Sequence, residues 1–319
     1  MTLVIGTDEA GYGPNLGPLV VAASVYRVAA EIHDAEVVLS RSIAAALAAV
    51  ARPALSGPLW ADSKLVYRAG AGFGALERGV LAGLVVASDA VPTNWQQLAA
   101  ALGIAQSDSI APETLVLDSL SLPRTAQSQD CHAVAAIVRD TLANEGVSLL
   151  RMACRTIQPQ AFNLLLATGL NKSDILSRTT LELAAALRTF APTEPVLVWC
   201  DRHGGRKSYA ALVARSFDTP LIQPLEETAT RSVYALPGST GRIEFCVAGE
   251  SRVPVALASM TAKYLREISM WAFNAFWSSH VPGLRPTAGY PLDAKRWRRD
   301  AQDTIQSLGI SAEQLWRSV

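Results

Sequence analysis

Pro195-Val196-Leu197-Val198-Trp199-Cys200 runs almost without a polar side chain and stops at Asp201. A run that short and that apolar reads as a strand covered on both faces, which requires helices on each side of a sheet. Leu3-Val4-Ile5-Gly6-Thr7 behaves alike at the other end of the sequence. It enters Asp8-Glu9 and a glycine-rich turn, and Pro18 to Val25 resumes as a second apolar strand, so the two form a hairpin-like pair with carboxylates at its start. Helical patterns lie at 39–50, 75–87, 133–144 and 159–190 between these strands and at 255–276 beyond them, with a further strand at 147–154. Arg52-Pro53 through Gly57-Pro58 breaks the first helix. Residues 89–130 are polar and weakly periodic and read as a surface insertion. Strands alternate with helices, so the expected class is α/β.

Half of the 319 residues are hydrophobic and 18% are charged, which excludes a disordered chain and allows a sizeable core. Lys and Arg number 28 and Asp and Glu number 28, so a nucleic-acid partner has to be argued from local charge. Cys131, Cys154, Cys200 and Cys246 are scattered with no C-x-x-C pair, against a zinc ribbon and in favour of a reducing, cytoplasmic compartment. The opening residues carry carboxylates rather than a basic leader, and no apolar run reaches the roughly 18–20 residues of a membrane span, so neither a signal peptide nor a membrane partner is expected.

Asp8 and Glu9 leave one strand, Asp201 leaves another, and Glu267 follows Lys263 by one turn in the long helix. Carboxylates at element ends can meet in one site and hold hard divalent cations. Two such ions can clamp the attacking and leaving oxygens of a phosphodiester. Gly6-Thr7-Asp8-Glu9-Ala10-Gly11-Tyr12-Gly13-Pro14, then Asp62-Ser63-Lys64-Leu65, Asn163 with Asn171-Lys172, Asp201, Ala258-Ser259-Met260-Thr261-Ala262-Lys263-Tyr264-Leu265-Arg266-Glu267, and Ala288-Gly289-Tyr290-Pro291-Leu292-Asp293 follow in order. This series resembles the motifs of the ribonuclease HII family.

The resemblance implies a ribonuclease H-like fold with a mixed five-stranded sheet, helices on both faces and a helical C-terminal extension. The catalytic domain is expected over 1–276, with insertions near 31–58, 89–146 and 203–242 that no motif covers, and the basic extension over 277–319. It implies an endoribonuclease that uses two Mg2+ or Mn2+ ions, held by Asp8, Glu9, Asp201 and Glu267. Such an enzyme hydrolyses RNA in RNA/DNA hybrids, or ribonucleotides embedded in DNA, and leaves a 5′-phosphate and a 3′-hydroxyl. Gly11, Tyr12 and Gly13 would approach the ribose 2′-OH, and Ser63, Lys64, Asn163, Lys172, Lys263 and Tyr290 would contact the substrate of a monomeric enzyme. Arg285, Lys295, Arg296, Arg298 and Arg299 supply the local positive charge that the neutral total conceals.

Plainer readings stand beside these. The glycines make a turn, Lys64 is a solvated loop lysine, Lys263 and Glu267 form an i,i+4 pair worth about 0.2–0.5 kcal/mol, and the basic cluster is an exposed helix face. Tyr290 packs at a turn, His203 is a loop histidine, and Trp271 and Trp277 belong to a core or an interface. Two departures from the family pattern matter. Tyr12 stands where ribonuclease HII usually has arginine, and Glu267 where it usually has aspartate. Both resemble the ribonuclease HIII branch and favour runs of ribonucleotides over single ones. The competing classes are a non-catalytic nucleic-acid-binding protein of the same fold, and an actin-like or sugar-kinase-type phosphoryl transferase, whose opening strand and glycine turn look similar.

Overall fold

A computed structural model describes residues 1–51, 58–68, 72–105, 111–219, 221–236 and 241–318. The Pro/Gly break expected over 52–57 lies outside the described residues. The N-terminal half builds β1 (Thr2–Ala10), β2 (Leu19–Val28), α1 (Ile32–Val50), α2 (Ser63–Arg68), α3 (Gly72–Ser88), α4 (Trp95–Ala101), α5 (Thr114–Asp118), α6 (Ser128–Asn144) and β3 (Val147–Ile157). The remainder builds α7 (Pro159–Ala167), α8 (Lys172–Arg188), β4 (Val196–Asp201), α9 (Ala210–Ser216), β5 (Pro224–Glu227), β6 (Arg231–Ala235), β7 (Arg242–Cys246), α10 (Val253–His280), α11 (Pro291–Asp300), α12 (Gln302–Ser307) and α13 (Ala312–Leu315).

The sheet has seven strands in the order β3-β2-β1-β4-β7-β6-β5, and not five. The extra pair, β5 and β6, falls inside the segment read as an insertion near 203–242. An edge strand such as Pro224-Leu225-Glu226-Glu227 has only one neighbour and an exposed face, so its sequence carries no apolar run to mark it. β1, β4 and β7 are parallel neighbours, whereas β2, β3, β5 and β6 pair antiparallel. The C-terminal ends of the three parallel strands therefore lie side by side at one edge of the sheet.

β1 and β4 are buried on both faces, as their continuous apolar sequences require. On one face Val4, Tyr26 and Trp199 meet α1, α3, α6 and α10; on the other Ile5, Val25 and Val198 meet α7 to α9. Residues 89–130 are not the surface excursion their polarity suggests. Trp95, Leu98, Leu102, Leu117, Leu120 and Leu122 are all buried in the first of these cores. α4 and α5 are too short to display a helical period, so their apolar residues look scattered in the sequence.

α10 is the element that binds the layers together. A Cβ on Gly6 would lie 2.3 Å from the carbonyl carbon of Pro254, so only glycine lets the start of α10 seat on β1. Ser24 on β2 donates to the Pro254 carbonyl at 2.7 Å and fixes the same junction. The helix continues through Trp277 to His280, past the boundary expected at 276. Trp277 is buried with Phe273, Leu284, Trp297 and Leu315, a cluster that holds α11 to α13 against the end of α10.

Candidate active site

Each of the three parallel strands delivers a carboxylate to the shared edge. Asp8 and Glu9 end β1, Asp201 ends β4, and Glu250 follows β7 in a short 3-10 turn, Gly249–Ser251. In the register Thr7 pairs with Cys200 and Asp201 with Cys246, which brings the strand ends level. Asp8 and Glu9 lie close enough at the end of the strand for their carboxyl groups to interact directly. All four line one open depression of about 540 Å3, together with Gly11, Tyr12, Ser63, Lys64, Ser259, Lys263, Glu267, Trp271 and Tyr290.

Asp8 is only 7% exposed. Burial drives its pKa well above the ordinary carboxylate value, and the charges of Glu9, Asp201 and Glu250 push the same way. Glu9 is raised to about 7 by burial and then by Asp201 and Glu250. Asp201 is raised by burial as well, although its Oδ1 accepts the Gly249 N–H at 2.9 Å. The cation set against this group is Lys64, whose Nζ lies 3.7 Å from Glu250, and the Glu250 charge raises the Lys64 pKa.

Ser259 organises this edge from α10. Its hydroxyl donates to Glu250, lies 3.0 Å from Ser63 Oγ and, beside Asp8, tempers the rise of that carboxyl's pKa. Ser63 and Lys64 open α2, and Asp62 Oδ1 turns back to accept the Lys64 N–H at 2.8 Å. The loop after β1 is held differently. Gly11 has φ +87°, and its backbone packs against the Pro18 carbonyl and Arg266. Arg266, buried and lowered to about 10 by that burial, donates to the carbonyls of Pro18 at 2.7 Å, Leu16 at 3.2 Å and Ala288 at 3.0 Å. One guanidinium thus ties the glycine loop to the connection that carries Gly289-Tyr290 into α11.

The sequence-derived residues are distributed unevenly around this edge. Glu267 lines the depression but pairs with Lys263 at 3.3 Å and Tyr67 at 3.4 Å. Glu250 lines the same depression, and its charge raises the pKa of both Asp8 and Glu9. Sequence reading missed Glu250 because it follows β7 by several residues, inside a turn; the parallel pairing of β7 with β4 is the signal that identifies it. Tyr12 lies at the rim with Lys172 over its ring at 4.4 Å, so Lys172 reaches the depression only through that tyrosine. Gly13 faces Tyr290, which is 58% exposed.

Asn163 is elsewhere. Its amide donates to the Glu313 and Trp316 carbonyls at 3.0 and 2.7 Å and accepts the Ser318 N–H at 2.8 Å, so it tethers the C-terminal segment. His203 is buried beside Tyr209 and Phe245, 2.9 Å from Ser177 Oγ, and burial lowers its pKa to about 3. Of the basic cluster, Arg296 bonds Asp293 and Arg299 bonds Asp300.

Among the described residues no group of three or more His, Cys, Asp or Glu side chains is already disposed to hold a metal ion. The donor chemistry nevertheless suits one: Glu9 Oε2 is buried without a hydrogen-bond partner, where Asp201 and Glu250 stand close enough to raise the pKa of both Asp8 and Glu9. No helix among the described residues is long and apolar enough to cross a membrane.

The sequence matches no protein-family model and no curated protein. Among solved structures it is similar to Bst-RNase HIII in complex with Mn2+, at 17% identity and TM-score 0.45 over 99% of this chain, which spans 66% of that one, just under two thirds. It is also similar to RNase HII in the PCNA:RNase HII complex from Archaeoglobus fulgidus, at 13% identity and TM-score 0.42 over 98% of this chain and 93% of that one. A third likeness is to ribonuclease H2 from Pyrococcus horikoshii OT3, at 14% identity and TM-score 0.37 over 98% of this chain and 92% of that one.

Proposed function

We propose that the protein is a ribonuclease H of type 2, an endoribonuclease that hydrolyses RNA paired with DNA and leaves a 5′-phosphate and a 3′-hydroxyl. The observation that carries this reading is the meeting of Asp8, Glu9, Asp201 and Glu250 at the ends of three parallel strands, with Lys64 as their paired cation. Four carboxylates so placed repel one another unless a cation joins them, and Asp8, Glu9, Asp201 and Glu250 are the ligands for Mg2+ or Mn2+ in this reading. Divalent ions, when bound, supply an activated water and neutralise charge on the scissile phosphate.

The chain's own groups account for recognition. Gly11, whose φ of +87° suits glycine, shapes the loop whose backbone reaches a ribose 2′-OH, the group that separates RNA from DNA. Ser259 and Ser63 fix the orientation of Glu250 and Asp8. Lys64, partly exposed, is free to turn from Glu250 to a phosphate oxygen. Tyr290 offers a flat face to a sugar or base at the rim. Tyr12, with its ring under Lys172, takes the place of the arginine that reads an RNA–DNA junction, so the preferred substrate is a run of ribonucleotides.

The test is Mg2+- and Mn2+-dependent cleavage of three labelled duplexes: DNA with one ribonucleotide, DNA with four, and a full RNA/DNA hybrid, each beside Asp8→Asn. Cleavage lost in the variant, with the longer ribonucleotide runs preferred, is the expected result. Absence of cleavage with either ion, while the hybrid still binds, would replace the nuclease by a binding role. Turnover of ATP instead would move the protein to the kinase-like class.

A further inference from the structure

The carboxylate end of the depression leaves its other end unused. Trp271, three turns along α10 from Ser259, lines that end and is 36% exposed. Arg124 stacks on its indole, with Cζ 3.8 Å from the ring centroid, and is 5.9 Å from the ring of Phe73. Arg124 belongs to the segment 89–146, which none of the sequence motifs covers.

The arginine is exposed but its backbone is anchored. Glu77 on α3, wholly buried, accepts the N–H groups of Arg124, Thr125 and Ala126 at 2.8, 2.7 and 2.9 Å. It also accepts the Thr125 hydroxyl at 2.9 Å and that of Tyr264, itself on α10, at 3.0 Å. A buried carboxylate with five donors is a rigid mount. The other basic residues of this rim are engaged, Lys64 with Glu250 and Lys263 with Glu267. Among the described residues the Arg124 side chain has neither an ion pair nor a hydrogen bond. A guanidinium lying flat on an aromatic face keeps its N–H donors directed outward in its own plane, the geometry that takes a phosphate through two hydrogen bonds. The adjoining exposed indole is a stacking surface for a base.

We propose that Arg124 and Trp271 form a strand-binding subsite: the guanidinium takes a backbone phosphate of the nucleic acid, and the indole packs on the neighbouring base or sugar. This rests on the nuclease reading of the carboxylate end, and it gives the 89–146 segment the work of lengthening the substrate footprint along α10. The strand lies along the depression from the carboxylates to Trp271.

The experiment measures the affinity of full-length Asp8→Asn protein for a fluorescent RNA/DNA hybrid across a salt series, with and without Arg124→Ala, Arg124→Lys or Trp271→Ala. Arg124→Ala is expected to weaken binding about threefold to tenfold and to flatten the slope of log affinity against log salt by about 0.7–0.9, the signature of one lost phosphate contact. Arg124→Lys should restore the slope, and Trp271→Ala should weaken binding by about fivefold or more through lost stacking. Unchanged affinity and slope in Arg124→Ala, with the parent protein binding, overturns the subsite and leaves the nuclease reading standing. A parent that binds no hybrid overturns both. If Trp271→Ala fails to fold, the exposed Arg124 variants decide the matter.

Discussion

Glu250 and Glu267 border the same depression, but Glu250 sets its charge against Asp8 and Glu9 whereas Glu267 is paired with Lys263, and that difference is measurable. Glu250→Gln is expected to lower cleavage at least about a hundredfold with the circular dichroism spectrum unchanged. Glu267→Gln, which removes only a partly exposed pair with Lys263, should leave the rate within about threefold of wild type. Equal losses in the two variants would return Glu267 to the site. Asp8, Glu9 and Asp201 are legible in the sequence because apolar runs end on them. Glu250 is not, since its place depends on which strand lies beside β4. Asn163 and His203 show the converse: polar residues that resemble site groups in a list of motifs serve the C-terminal segment and the core. Away from the site, Glu113 is buried with Oε2 unpartnered, and burial raises its pKa to about 7. The folded state therefore holds a proton that the unfolded chain releases near pH 4.5, and stability falls as pH rises from there through about 7. Glu113→Gln should raise the urea midpoint at pH 8, by about 1–3 kcal/mol of stability, and leave it nearly unchanged at pH 4.

Single elements were legible in proportion to their length and burial. β1, β4 and α10 announce themselves through continuous apolar runs or a sustained helical period. β5, α4 and α5 do not, because an exposed edge or a length of one to two turns leaves no periodicity to read, and β6, buried between β5 and β7, is only five residues long. What no pattern in a single element reveals is the seat of α10 on β1. The helix start touches the Gly6 position so closely that a methyl group has no room, and the Gly6 side of the strand is backbone against backbone. Gly6→Ala is expected to cost about 2–3 kcal/mol or more, read as a lowered denaturant midpoint. It should also reduce cleavage, because sliding α10 outward draws Ser259 away from Asp8 and Glu250. A variant with wild-type stability would mean that the helix tolerates another seat.

Across the whole molecule, the C-terminal segment returns to the β1–β2 loop. The Arg317 N–H donates to the Asn15 carbonyl at 2.8 Å, the Asn15 amide donates to the Arg317 carbonyl at 3.1 Å, and Asn163 holds the residues on either side. Asn163→Ala should therefore accelerate limited proteolysis of the last residues while leaving the affinity for hybrid within about twofold; a large loss of affinity instead would make Asn163 a substrate contact. A chain ending at residue 310 should melt at lower temperature, since it uncovers Leu16 and Trp297. The strand order has a consequence for how such a chain is made. β1 leaves the ribosome before the rest of the sheet and can pair with β2 by Val28, but its other edge faces β4, which ends at Asp201. At usual elongation rates that edge waits on the order of ten to forty seconds for its partner. During that interval the nascent protein carries an open, apolar strand edge, suited to a holding chaperone and exposed to neighbouring nascent chains.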